Sequence, residues 1–325
     1  MARPVVIDTD GGVDDAVALW WALTDPALDV VAITVVWGNV SVETAAASVL
    51  RVVHAAGRDD VPVAVGRPGP LLPAPDLRPA TFIHGDDGLG NAAGAAAPGQ
   101  AVDEPAPDLL ARLARERPGE LALVTLGPLT NVGVVVHDHP EFARDIAELA
   151  VMGGAARRGG NALPAGEANI AHDPIAAQRT VVAPWPRPPL LVGLDVTLEA
   201  TLRPDEFTLL AQHRSAAAAF LDAPLRFYRE FGSTFTAPDT PCHDLLTVLA
   251  LGAPEIIEDA PVLPLAVDCA GGAAWGSTVV DFRAPFFAAL VGSTQAAPDG
   301  FAPWRIALGV DVARFRRCVR ALFGE

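Results

Sequence analysis

There is no lysine in the 325 residues: the 23 basic side chains other than histidine are all arginine, set against 39 aspartates and glutamates. A formal net charge of -16 leaves no basic face for nucleic acid or an anionic membrane, and we expect neither as a partner. Cysteine is also scarce. Cys242, Cys269 and Cys318 are odd in number, far apart and without C-x-x-C spacing, which argues against a disulfide framework and a zinc ribbon. No apolar run reaches the roughly 18 residues of a membrane span. The first strand opens near Pro4, which leads us to expect no signal peptide and a cytoplasmic protein. Apolar residues are abundant, at 51%, ample for a large core in one domain spanning 1–325.

Apolar runs alternate with helical patterns. Pro4–Ile7, Leu28–Val36, Val61–Val65, Glu120–Leu126, Ile146–Met152 and Leu190–Val192 read as strands buried on both faces. Between and after them, helices are expected over Asp14–Leu23, Val42–Ala56, Leu109–Arg117, from Leu129, and over Pro174–Val182. Further helices fall near 204–212, 214–231 and 243–251. The tail carries shorter strands (262–267, 277–282, 304–308) and a helix over 311–323. Residues 67–80 and 92–107 read as loops rich in Pro, Gly and Ala. This alternation predicts an α/β fold: an open, mostly parallel mixed sheet flanked by helices, with a Rossmann-like core. Ligands in such sheets bind at the carboxyl ends of the strands, and the polar clusters of this chain fall there.

The densest cluster is Asp8-Thr9-Asp10-Gly11-Gly12-Val13-Asp14-Asp15. Asp14 and Asp15 open a helix, where capping and the dipole favour aspartate. That plain role does not account for Asp10, or for Asp8 at the end of a buried strand. Like charges about 4 Å apart repel by ~4 kcal/mol at an effective dielectric near 20. Several carboxylates in one crevice therefore need a cation or protons. Oxygen ligands favour Ca²⁺ or Mg²⁺ over zinc.

D-x-D-G at a first strand is shared with haloacid-dehalogenase-like phosphatases, but those continue Gly-Thr and commonly use a later lysine. The full D-x-D-x-G-x-D-D pattern resembles the inosine-uridine-preferring nucleoside hydrolases, with Gly11 where many members have proline. The resemblance runs on through Gly38-Asn39, Ile83-His84-Gly85, Gly127-Pro128-Leu129-Thr130-Asn131 and Met152-Gly153-Gly154. It continues through Asn161, Glu167-Ala168-Asn169, His172-Asp173-Pro174, Leu194-Asp195-Val196-Thr197 and His243-Asp244.

The resemblance implies a nucleoside hydrolase-like fold and hydrolysis of the N-glycosidic bond of ribonucleosides of the inosine, uridine or cytidine type. It implies Ca²⁺ held by Asp10, Asp15, Asp244 and the backbone carbonyl of Leu126. Asp10 would also act as general base on the water, and Asp14 would hold the ribose 2′-hydroxyl. Asp8 would orient its neighbours. Asn39 would belong to the site, Asn161 would reach the 3′-hydroxyl, and Glu167 with Asn169 the 5′-hydroxyl. His243 would position or protonate the leaving base. His84 and Tyr228 are candidates for base contact; core packing is the plainer role for Tyr228. Asp173 reads as a helix cap before Pro174, Asp195-Val196-Thr197 as supporting structure, Trp20 and Trp21 as core, and His54, His137, His139 and His213 as surface residues. The family suggests a homodimer or homotetramer. A dehalogenase-type phosphatase and a non-catalytic nucleoside- or ribose-binding protein are the alternatives.

Overall fold

A computed structural model describes residues 2–72, 77–92, 94–236, 239–283 and 298–325, with the backbone alone for 232–236. Its strands are β1 (Arg3–Thr9), β2 (Leu28–Val35), β3 (Val63–Val65), β4 (Ala122–Thr125), β5 (Glu148–Met152) and β6 (Leu190–Val192). They continue as β7 (Thr201–Leu202), β8 (Thr240–Pro241), β9 (Ile257–Asp259), β10 (Val262–Val267), β11 (Thr278–Val280), β12 (Ala302–Ile306) and β13 (Gly309–Val310).

One sheet takes nine of these strands in the order β11-β10-β12-β6-β5-β4-β1-β2-β3. From β12 to β3 every neighbouring pair is parallel. β10 runs antiparallel to both β12 and β11. The short β7 pairs with β8, and β9 with β13, outside the main sheet. The expected open, mostly parallel mixed sheet is therefore the observed one.

Side chains alternate across the sheet, as the pleat requires. Val5 and Ile7 of β1 join one buried cluster while Val6 joins the other; Val124 and Leu123 of β4 divide the same way. The first cluster is covered by helices Val13–Thr24, Val42–Ala55 and His243–Gly252, the second by Ala106–Glu116, Thr130–Asp138 and Pro174–Val181. Burial on both faces explains why these strands read as continuous apolar runs.

The expected elements agree with the observed ones to within three residues, with one exception. The helix expected over 214–231 runs over Ala216–Thr236, with Pro224 inside it. Within the expected loops, residues 73–76 and 93 lie outside the described residues. Four one-turn helices were not expected: Thr81–His84, Phe142–Asp145, Ala168–His172 and Leu194–Thr197. Trp304 is a fully buried core side chain.

The chain runs outward from β1 to β2 and β3, then returns to place β4, β5 and β6 on the other side of β1. The reversal falls between β1 and β4. A crevice opens beyond the carboxyl ends of strands at such a point, and β1 ends there in Asp8-Thr9-Asp10.

Candidate active site

Each carboxylate of the first motif is held by a different device. Asp8 Oδ1 accepts hydrogen bonds from Thr34 Oγ1 at 2.6 Å and Asn131 Nδ2 at 2.8 Å, while its Oδ2 is buried without a partner. Burial pushes its pKa up to about 7 against the pull of those two bonds. Asp10 is gripped by one residue: Asn39 donates its backbone N–H to Oδ2 at 2.8 Å and its Nδ2 to Oδ1 at 2.9 Å. A Cβ on Gly38 would stand 2.0 Å from Asp10 Oδ2, so glycine before Asn39 is what permits this grip. Gly11 has φ +70, and a Cβ there would meet the Ala45 backbone at 2.7 Å.

Asp15 closes the turn. Its Oδ2 accepts the Gly12 N–H at 2.8 Å, and its Oδ1 takes the Thr9 hydroxyl. This is the capping role expected of an aspartate in a first helical turn. Asp14 and Asp244, which open helices Val13–Thr24 and His243–Gly252, complete the group. Asp14, Asp15 and Asp244 each place an oxygen within 4.8 Å of the others, and all are buried. Asp10 stands beside them. Burial first, then Asp15 and Asp14, push its carboxyl well above the ordinary range. Burial and Asp15 raise Asp14 to about 7. Burial, then Asp14, Asp15 and Asp10, raise Asp244.

The opposite wall is built on the one-turn helix Ala168–His172. Glu167 caps it, accepting N–H bonds from Asn169 at 3.0 Å, Ile170 at 3.2 Å and Gly154 at 2.8 Å. Burial raises the Glu167 pKa against these three donors. Asn169 Nδ2 donates to the carbonyls of Leu126 at 2.8 Å and Met152 at 3.2 Å. Asn161, exposed at the rim, accepts the Ala168 N–H at 2.9 Å through Oδ1.

Two histidines stand at this site, His243 in the lining and His84 behind it against Tyr228. His84 Nδ1 accepts the Val13 N–H at 3.1 Å, and its ring lies 5.4 Å from that of Tyr228. His243 Nδ1 meets the Thr197 hydroxyl at 2.8 Å. Burial lowers the His84 pKa to about 3, with a smaller push from His243, and lowers His243 to about 4. Both imidazoles are neutral near pH 7.

A cleft of about 90 Å³ is lined by Asp14, Asn39, Leu126, Asn161, Glu167, Asn169, Tyr228, His243 and Asp244, together with Ile83, Met152 and Ala168. Asp10, Asp15 and His84 pack directly behind that lining. Every residue expected at the site is thus brought to one place. Tyr228, for which core packing was the plainer role, is buried yet lines the cleft. Asp173 caps helix Pro174–Val181 as expected.

Sequence reasoning missed the supports. Thr9 and Thr34 carried no signal of their own. Asn131 lay inside the motif Gly127–Asn131 without a role, and it holds Asp8. Thr197 was read as support, without its contact to His243.

The donor chemistry fits a hard divalent cation: buried carboxylate oxygens lie close together, with no arginine among the described residues lining the cleft. A crevice that gathers acids and amides without a cationic side chain suits a neutral, hydroxyl-rich ligand rather than a phosphate ester.

A family model described as inosine-uridine preferring nucleoside hydrolase matches residues 5–317. The pyrimidine-specific ribonucleoside hydrolase RihA of Citrobacter koseri is 37% identical over 294 residues, covering 87% of this chain and 89% of its own. A probable uridine nucleosidase 2 of Arabidopsis thaliana is 36% identical over 255 residues, covering 78% of this chain and 79% of its own. Among solved structures, the plant nucleoside hydrolase PpNRh1 superposes with a TM-score of 0.91 at 32% identity, covering 100% of this chain and 99% of its own. The chain belongs to the inosine-uridine preferring nucleoside hydrolase family, and its reaction is hydrolysis of ribonucleosides to ribose and free base.

Proposed function

We propose that this chain is a calcium-dependent ribonucleoside hydrolase acting on unphosphorylated nucleosides, with uridine and cytidine preferred. The observation that carries this reading is the meeting of Asp10, Asp14, Asp15 and Asp244 in one buried cluster beside the cleft. Asp10, Asp15, Asp244 and the Leu126 carbonyl would hold the ion, and sugar and water oxygens would complete its shell. A bound divalent cation offsets the repulsion among the carboxylates and lowers the pKa of a coordinated water.

The protein groups then divide the work. Asp10, oriented by both donors of Asn39, accepts the proton of the water that attacks C1′. Asp14 accepts from the 2′-hydroxyl. Asn161, whose Oδ1 is engaged by Ala168, offers its amide nitrogen to the 3′-hydroxyl. Glu167 and Asn169 take the 5′ end, and their fixed dipoles favour the developing oxocarbenium charge. His84 and His243, neutral and buried, donate hydrogen bonds to the departing base. Two such donors, and similarity to pyrimidine-specific and uridine relatives, support the preference for pyrimidines. We further propose one domain over 1–325, a cytoplasmic location, and a homodimer or homotetramer.

Chromatographic product analysis tests the activity. With Ca²⁺, uridine, cytidine and inosine should each yield ribose and free base, with uridine and cytidine turned over fastest. The 5′-monophosphates should be poor substrates, because Glu167 closes the 5′ end with a carboxylate. Cleavage of uridine monophosphate as fast as uridine would rule out this assignment of Glu167.

A further inference from the structure

The one-turn helix Leu194–Thr197 follows β6 and contacts His243 on one side and the Ala156-Arg157 backbone on the other. Asp195 accepts the N–H groups of Ala156 at 2.6 Å and Arg157 at 2.9 Å, anchoring the segment that leads to Asn161. Thr197 is fully buried, and its hydroxyl lies 2.8 Å from Nδ1 of His243. A buried hydroxyl is costly without a partner, and valine would fill the same shape without that cost. The hydroxyl is therefore better explained by the histidine than by packing.

His84 shows what such a contact does. Its Nδ1 faces the Val13 backbone N–H at 3.1 Å. A backbone N–H can only donate, so a neutral His84 carries its ring proton on Nε2. We propose that Thr197 is a positioning residue that does the same for His243: its hydroxyl donates to Nδ1 and places the ring proton on Nε2, the nitrogen left to the cleft. Both histidines then present an N–H to the departing base. With the opposite tautomer, His243 would present a lone pair to a group that is gaining negative charge.

This inference rests on the proposed nucleoside hydrolysis and deepens it. In that reaction the C1′–N bond breaks with its electron pair passing to the base. The hydroxyl of water joins C1′, and the water proton, taken first by Asp10, ends on the base. The His243 N–H stabilises the base while it carries the pair. Its worth depends on how poor the leaving group is, and a nitrophenolate departs without such help.

The test compares uridine and inosine with 4-nitrophenyl β-ribofuranoside, using the Ca²⁺-loaded wild-type, Thr197→Val and Thr197→Ser proteins. Thr197→Val should lose about 10- to 100-fold in kcat on the nucleosides, a fraction of what a placed acid or base contributes. It should keep KM within a few-fold and the riboside rate within about twofold. Thr197→Ser should recover most of the nucleoside rate. An equal loss on both substrate classes, or no loss on nucleosides, overturns the proposal. If Thr197→Val does not fold, ¹⁵N shifts of the histidine rings in the wild-type protein decide: His243 protonated on Nε2 supports it, and protonation on Nδ1 overturns it. A wild-type protein that releases the nitrophenolate but no base from any nucleoside would remove the underlying reading instead.

Discussion

At the surface, Asp60 lies 2.9 Å from Arg58, and Glu104 lies 2.9 Å from Arg112. Those guanidinium groups hold both carboxyls below the ordinary range. In the cleft, Asp10, Asp14 and Asp244 meet burial and one another, and all three are raised. The same side chain is thus treated in opposite ways at two places in one molecule. These arginines sit outside, and the raised acids lie in or just behind a cleft whose described lining holds no arginine. A cluster built this way gains little for the fold alone, since buried charges without partners are costly. The proposed divalent cation would offset that cost.

The largest effect follows from removing the acid held most firmly in place. Asp10→Ala should lower kcat/KM on uridine by about 10³-fold or more, since it removes a proposed ligand and the proposed base together. Its circular dichroism should match the wild type. A folded Asp10→Ala protein with a near-normal rate would take Asp10 out of the reaction. The metal-free variant should also melt no lower than metal-free wild type, because one buried like charge has gone.

Thermal melting against pH separates the two classes of carboxylate. Asp8 and Asp14 have folded pKa values near 7, against an ordinary 3.8. A raised folded value means that the fold binds the proton more tightly than the unfolded chain does. The associated stability is complete below about pH 4 and is lost as pH rises through about 7. The surface pairs behave oppositely, being fully formed above about pH 4 and lost only below it. Between pH 5 and 8 the Asp8 and Asp14 carboxyls titrate, while these two surface pairs do not. Chelated protein should therefore melt several degrees lower at pH 8 than at pH 5, and Ca²⁺ should restore the loss at pH 8. A chelated protein equally stable at both values would show that burial, and for Asp14 the neighbouring Asp15, do not raise these carboxyls.

The floor of the site was legible in the sequence and its bracing was not, for a physical reason. The carboxylates stand at strand ends and helix starts. Both features leave periodic marks, a buried β-branched run and an aspartate-rich first turn, so the end of β1 and its four acids could be placed together. The bracing comes from single hydroxyls and amides distant in sequence: Thr34 and Asn131 on Asp8, Asn39 on Asp10, Thr197 on His243. Contacts of that kind have no local period. Ala168–His172 and Leu194–Thr197 were missed because one turn is too short to show the 3.6-residue repeat. Glu167 and Asn169 came from resemblance to a family, and only the fold shows that Glu167 caps the helix that carries Asn169.

The smallest expected effect serves as the control for this contrast. Glu104 contacts Arg112 through both oxygens, and Arg112 also reaches Glu116 at 3.0 Å. Both members of the Glu104–Arg112 pair are partly open to solvent, where such pairs contribute about 0.2–1 kcal/mol. Glu104→Gln should shift the melting midpoint by no more than about 2 °C in a chain of this length. It should leave kcat and KM for uridine unchanged, and high salt should erase most of the shift. The cleft carboxylates lie beyond such screening, so salt should not reproduce there what Ca²⁺ does. A Glu104→Gln protein whose turnover fell would mean that surface charge reaches the reaction, and the separation between the two sets of acids would fail.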